Sequence, residues 1–321
     1  MTALRSLLAR PLLLLAMCVA GAAAVFLTMR AAPGDPALIV LGEQANPQAV
    51  AAYRAANGLD EPVARQFSRW IAGVAHGDFG TSLSVARGQP VAALIRDRLP
   101  NTLFIGAYAM VLALAFAFVA GPLAARYRGR SIDVAATSVA VLGISMPDFW
   151  LAYVLVFVFA LTWQVFPAYG FTPPMDNLLQ ALHSGFLPAL AICAPLAAVF
   201  TRILRVALIE NQNKDYVRAA RSFGFPPRFV FLHYVLRNAM VPFVTILGIQ
   251  ARYLLGGTVV IERVFGIPGL GSLMVDAAFA RDYPVVQACA LVFLVCILLV
   301  NFVVDLLCQA LDPRAQGDGT S

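Results

Sequence analysis

The side chains that could do chemistry in this 321-residue chain are few and scattered. Three histidines, His76, His183 and His233, lie far apart, with no HExxH or GxSxG around them. Neither the paired imidazoles of a zinc hydrolase nor a nucleophile elbow is present. Five cysteines, Cys18, Cys193, Cys289, Cys296 and Cys308, sit in or at the ends of apolar stretches, form no CxxC and have no His or acidic cluster beside them. They are expected to be packed or lipid-facing thiols, and no metal site is expected. The only lysine, Lys214, is followed by Asp215, whereas a phosphate-binding loop needs Lys directly before Ser or Thr. No catalytic residue and no bound cofactor is therefore expected in this chain. What remains are charges in unusual company: Asp148 and Arg252 inside long apolar runs, and a polar segment over 213–238, NKDYVRAARSFGFPPRFVFLHYVLRN.

The elements around those charges are membrane spans. Hydrophobic residues make up 60% of the chain and charged residues 12%, about half the charge of an ordinary soluble domain. The net charge of +6 falls between apolar runs and reads as a topology signal, so no nucleic-acid partner is expected. A transmembrane helix needs about 20 mainly apolar residues. Windows of that kind fall at 11–29, 99–125, 134–162 (containing Asp148), within 177–201, at 238–261 (containing Arg252) and at 283–304. Each interrupted window leaves a piece too short to span alone, so one continuous helix with one ionisable residue is expected in both cases.

Arg5 and Arg10 precede the first span, Arg126, Arg128 and Arg130 separate the second and third, and seven basic residues lie over 202–237. The loop over 163–185 has none. Positive loops stay in the cytoplasm, so the expectation is six spans with both termini cytoplasmic. A cleaved signal peptide ending near Ala20, Gly21 and Ala22 is the alternative for the N-terminus, but it would leave five spans and an inverted charge pattern. The resulting division is 1–32 for the cytoplasmic end and first span, 33–98 for a small extracytoplasmic region, 99–308 for a five-helix core with the segment 213–237 inside it, and 309–321 for a cytoplasmic tail.

Within the polar segment, Asp215 can cap a short helix, the residues from Tyr216 to Phe223 continue it, and Gly224 with Pro226 and Pro227 stops it. A second amphipathic stretch over 228–237 leads back to the membrane. Two roles fit this hairpin. It can insert into a groove on a cytoplasmic partner, with Ala219 and Ala220 as a close-approach face and Gly224 at the turn. It can also lie on the headgroups, with Arg218, Arg221 and Arg228 meeting anionic lipid.

The segment DYVRAARSFG followed by HYVLRNAMVP resembles the cytoplasmic coupling motif of ABC importer permeases. The resemblance runs along the chain through PGDP (33–36), NGLDEPV (57–63), GDFGTS (77–82), LPNT (99–102), SMPDFW (145–150), ERVFGIPGLG (262–271), RDYPVVQ (281–287) and DPR (312–314). It is greatest to the first of the two permeases in binding-protein-dependent importers of the dipeptide and oligopeptide family. It implies an all-α polytopic protein with the type I ABC importer permease fold, in a bacterial inner membrane. It further implies a second homologous permease forming a heterodimeric channel with this one, two ATPase subunits that bind ATP and Mg, and an extracytoplasmic substrate-binding protein. Asp215, Tyr216, Arg218, Ala219, Ala220, Arg221 and Gly224 would then contact an ATPase subunit. Two departures stand out: Phe223 occupies a position usually held by Lys, and Arg252 stands in a helix usually neutral there.

The implied ligand is a di- or oligopeptide, with glutathione, a nickel chelate, an opine or a sugar as alternatives within the class. An ion-coupled secondary transporter is the alternative outside it, but no internal repeat is found and Asp148 is the one deep acid. Pro33, Gly34, Asp35, Gly77 and Asp78 mark a landing surface for the binding protein, or a cap that only shields the channel mouth. Glu262, Pro268, Gly269 and Gly271 lie where continuous helix is not expected and suggest an outer gate. Asp148 and Arg252 are expected to face the translocation path, where they meet either the charged ends of a ligand or one another.

Overall fold

The computed structural model describes residues 2–31, 35–42 and 45–311, with side chains throughout these except at 2–12, 255 and 308–311. Among them the elements are helical: α1 (Thr2–Ala31), α2 (Pro36–Leu41), α3 (Pro47–Ala56), α4 (Val63–Ala75), α5 (Val91–Arg126), α6 (Ser131–Ser145), α7 (Asp148–Leu155), α8 (Leu178–Gln212), α9 (Asp215–Ser222), α10 (Pro227–Val230), α11 (Arg237–Phe265), α12 (Leu270–Phe279) and α13 (Tyr283–Leu311). Wider π-helical turns continue α7 through Val156–Thr162 and join α10 to α11 through Phe231–Leu236. Five helices are long and apolar enough to cross a membrane, and α6 with the α7 segment is a sixth, broken candidate. A second bent pair, Gly256–Phe265 with Leu270–Phe279, also passes on length and composition.

The expected continuous helix over 134–162 is the clearest correction. The chain bends by 107° between Ser145 and Asp148. Pro147 lacks an N–H and disfavours helical dihedrals at the residue before it, and Met146 is extended at φ −91°, ψ 130°. Asp148 therefore opens a new helix instead of interrupting an old one. The helix carrying Arg252 is unbroken, as expected, and runs beyond the expected window to Phe265.

The chain divides into two compact units, Met1–Asn101 with Pro268–Leu298, and Thr102–Ile267 with Leu299–Ser321. This partition joins the 33–98 region to both α1 and the last helices, where the sequence suggested cuts near 32 and 98. In the first unit, Asp35 and Asn46 cap α2 and α3 by accepting from the N–H groups of Ala37 and Gln48, each helix starting on proline. Arg54 bridges Asp35 and Asp60, both at 2.8 Å. Phe67 and Trp70 of the amphipathic α4 pack on Phe26 of α1, with ring centroids 5.5 and 5.7 Å away. The unit's core gathers Val91, Ile95, Leu270, Leu273, Val285 and Ala288.

In the second unit α8 is central. Fifty-six per cent of its apolar window is buried, more than in any other continuous span. Lipid is as apolar as leucine, so helices in a membrane associate by close packing of small residues. α5 supplies these at four-residue spacing through Ala109, Ala113, Ala117, Gly121 and Ala125. A Cβ at Gly121 would come within 3.1 Å of Leu204 on α8. Between α6 and α8, Asp133 takes a bidentate pair from Arg205 at 2.6 and 2.7 Å and the N–H of Gly129 at 2.9 Å.

Candidate functional site

The polar hairpin lies between α8 and α11. Lys214 occupies the N-cap position of α9 without a side-chain cap. Asp215, expected to be the cap, sits one residue later in the first turn, where it faces the positive end of the helix dipole and pairs with Arg218. Val217 and Ala220 are buried in the unit's own core, while Tyr216, Arg218, Ala219 and Arg221 are exposed. The expected common face of Ala219 and Ala220 is thus absent: neighbouring helical residues point about 100° apart. The Tyr216 hydroxyl donates to Asn211 Oδ1 at 2.6 Å, and burial pushes this phenol up from its ordinary pKa. Gly224 turns the chain at φ +77°, with open space where a Cβ would stand. Phe223, beside it, is 81% exposed. Beyond the turn, Phe225 stacks on Phe229 and Phe229 on His233, at 5.3 and 4.1 Å. The second amphipathic stretch is therefore the root of the α11 helix and not a separate arm.

Asp148 and Arg252 meet in one cavity of the second unit, about 630 Å³ in volume and also lined by Ser145, Pro147, Tyr253 and Gly256. They do not pair with each other. The hydroxyl of Tyr253 donates to Asp148 Oδ2 at 3.3 Å, and Arg252 is exposed with no hydrogen bond or ion pair among the described residues. The break at Pro147 brings the Asp148 carboxylate here, at the first turn of α7, while α11 presents Arg252 and Tyr253 side by side. Tyr253 was not singled out from the sequence. A phenol inside an apolar run needs a partner for its hydroxyl, which was the available signal.

The residues expected to gate are packed and bonded. Glu262 is fully buried and accepts from Thr102 Oγ1 at 2.7 Å. In the first unit Asn101 donates to the Pro268 carbonyl at 2.8 Å, and the N–H of Gly269 donates to Ser272 Oγ at 3.1 Å, starting α12. Gly271 is buried in that helix. Gly266 ends α11 at φ +65°. The motifs of the sequence thus meet in pairs, LPNT with ERVFGIPGLG and GDFGTS with RDYPVVQ. In the second pairing Asp282, fully buried, accepts through one oxygen from the Ser82 hydroxyl and the N–H groups of Ser84 and Val85, at 2.5, 2.9 and 3.0 Å. Of the expected docking residues, Pro33 and Gly34 lie outside the described residues. Asp35 is committed to capping α2 and to Arg54. Gly77 and Asp78 form an exposed turn in which Asp78 accepts from the Gly80 N–H at 2.8 Å.

Residues 113–317 match the family of binding-protein-dependent transport system inner membrane components, and residues 3–106 match the N-terminal region of the same components. The chain belongs to this family. A permease of Brucella abortus (strain 2308), named for a peptide transport system, is 37% identical over 91% of this chain and 93% of its own. The glutathione transport system permease GsiC of Escherichia coli (strain K12) is 40% identical over 90% and 91%. Among solved structures, the inward-facing MetNI methionine ABC transporter aligns with a TM-score of 0.55 at 18% identity, over 68% of this chain and 97% of its own. An amino acid ABC transporter gives 0.51 at 15% identity, over 68% and 94%. The chain is a multi-pass inner-membrane permease subunit of an ABC importer of the peptide family, a transport component that works with partner subunits and not an enzyme.

Proposed function

We propose that this permease forms half of a channel that imports short peptides or peptide-like ligands such as glutathione, and that Asp148 and Arg252 read the charged ends of the ligand. The observation that carries this is the shared cavity in which an acid and a base lie near one another without pairing. Charges at membrane depth are expensive and normally find each other or face water. Two that remain available suit a ligand bearing both an ammonium and a carboxylate. The relatives' names point to the same ligand class.

Both termini face the cytoplasm in this proposal, as the distribution of arginines supports. The exposed face of α9, with Tyr216, Arg218, Ala219 and Arg221 and the protruding Phe223, docks into one of two ATPase subunits that hold ATP and Mg. A second homologous permease completes the channel, and an extracytoplasmic binding protein delivers ligand, with the 77–78 turn and Asp35 near its landing surface. The 262–271 turn serves as an outer gate, a reading supported by the bonds that Asn101 and Thr102 make to it.

The test is uptake of labelled glutathione and of a dipeptide mixture by the complete importer in vesicles carrying Arg252→Gln, Asp148→Asn or the charge-swapped double variant. Loss of uptake in each single variant, with folding kept and uptake not restored by the swap, is expected. Restoration by the swap would make the two charges a structural pair, and normal transport by both single variants would remove them from the path.

A further inference from the structure

A second cavity of about 420 Å³ lies in the same unit, lined by Val199, Arg202, Val206 and Glu210 of α8, by Pro242 of α11 and by Ile144. Ile144 lines both cavities. From Pro195 in the first cavity, Val199, Arg202, Val206 and Glu210 follow on α8 at steps of four, three, four and four, with Ile203 and Ala207 beside them, which keeps the lining on one side of the helix over roughly 22 Å. α8 is the most buried continuous span, so this stripe is the face its neighbours leave open. α11 does the same, placing Pro242 in the second cavity and Arg252, Tyr253, Gly256 and Val260 in the first.

The charges on the stripe separate it from a lipid-facing surface. Arg202 and Arg205 are three residues apart on one helix. Arg205 is locked to Asp133 by two hydrogen bonds. Arg202 and Glu210 are both exposed, and neither side chain has a hydrogen bond or ion pair among the described residues. A structural role has thus been found for one arginine and not for the other. The eight residue steps from Arg202 to Glu210 rise about 12 Å, the extent of a three- or four-residue peptide at about 3.5 Å per residue.

We propose that the cavity at Arg202 and Glu210 is a second ligand station on the translocation path, nearer the cytoplasm, where Arg202 takes the carboxylate and Glu210 the ammonium of a short peptide, and that Ile144 is the apolar sill between the two stations. This rests on the assignment of the Asp148 and Arg252 cavity to the path. Ile144 stands at the last turn of α6, directly before the break at Met146 and Pro147, where the backbone already departs from continuous helix. A bulky apolar side chain there separates the two chambers, each mainly apolar with one acid and one arginine, so that ligand at one is not in open contact with the other.

The test uses the complete importer in vesicles and a permanently charged, membrane-impermeant methanethiosulfonate, which reacts with thiols in water and not in lipid. Single substitutions Gly256→Cys report the first cavity, Val199→Cys and Val206→Cys the second, and Val119→Cys an exposed position of α5 that lines neither cavity; labelling is counted above the unsubstituted chain. From the cytoplasmic side, Val206→Cys and Val199→Cys should label at least tenfold faster than Val119→Cys. From the opposite side, Val206→Cys should label only when Ile144→Ala is also present. Triglycine should slow labelling of Val206→Cys severalfold, and N-acetyl-triglycine amide should not, with the effect lost in Arg202→Gln. If Gly256→Cys labels while the α8 positions behave like Val119→Cys, the second station is overturned and the path assignment survives. If Gly256→Cys is silent as well, the path assignment falls too. Equal labelling of Val206→Cys from both sides with Ile144 intact removes the sill. Failure of triglycine to shield, or equal shielding by the blocked peptide, overturns the ligand class.

Discussion

The 211–236 hairpin and the 262–285 stretch each turn on a glycine with left-handed dihedrals, yet they spend their polar groups in opposite ways. At Gly224 a Cβ would meet nothing within 4 Å; at Gly266 it would meet the ring of Tyr169 at 2.2 Å. In the hairpin, Arg218, Arg221 and Phe223 point outward, while Val217, Ala220, Val230 and Val235 anchor it. In the 262–285 stretch Glu262 and Asp282 are buried and bonded to residues 160 and 200 positions away. In the proposed docking to a partner, the hairpin needs its side chains free. A segment that holds its own chain in place uses them internally, and the two should respond differently to substitution.

The largest effect should come from Asp282→Ala. It strands the buried Ser82 hydroxyl, where an unsatisfied group costs about 1–3 kcal/mol, and frees the partly buried N–H groups of Ser84 and Val85. A loss of folded yield and a fall in Tm of many degrees in detergent are expected. Asp282→Asn, which keeps an acceptor oxygen, should recover a good part. An unchanged Tm for Asp282→Ala would break the contrast between the two regions.

Next in size is a pair of neighbours on α9. Ala220→Arg forces a charge into the packed core, so the hairpin should melt and protease cutting over 211–236 should appear. Ala219→Arg, on the exposed face, should leave the stability within about 0.5 kcal/mol of the parent, as surface changes usually do, and reduce only capture of the proposed ATPase partner. Equal behaviour of the two would mean that α9 does not present the face described.

Gly224→Val should cost only the dihedral strain, about 1–3 kcal/mol, confined to the turn, because a Cβ there meets open space. Membrane insertion should be kept and ATP-driven uptake lost. Gly266→Val should cost more, since the new side chain must also displace Tyr169. Uptake at the parental level in Gly224→Val would favour a hairpin lying on headgroups.

Much of this was legible in the chain itself. Apolar runs of near-membrane length located the spans, the scatter of His and Cys and the lone Lys214 gave no reason to expect catalysis, and Gly224 with Pro226 and Pro227 marked the end of α9. The helix break was also written there, in Met146 followed by Pro147, but the length of the surrounding apolar run outweighed it. Composition sets hydrophobic length, whereas a proline's local dihedral preference decides whether that length is straight.

The sequence by itself determined the solvent this protein lives in, its helical content and the residues that share each helical face, because hydrophobicity and the 3.6-residue repeat are local properties. Only the tertiary structure decided which face turns inward. It placed Ala220 in the core and Ala219 outside, locked Arg205 to Asp133 across 72 residues while leaving Arg202 on the open stripe, and gave Asp148 to Tyr253 instead of Arg252. Spacing ranks residues around a helix axis but carries no information on the rotation of that helix against its neighbours. That rotation follows from how the small residues of α5, the broken pair α6 and α7, and α11 pack around α8.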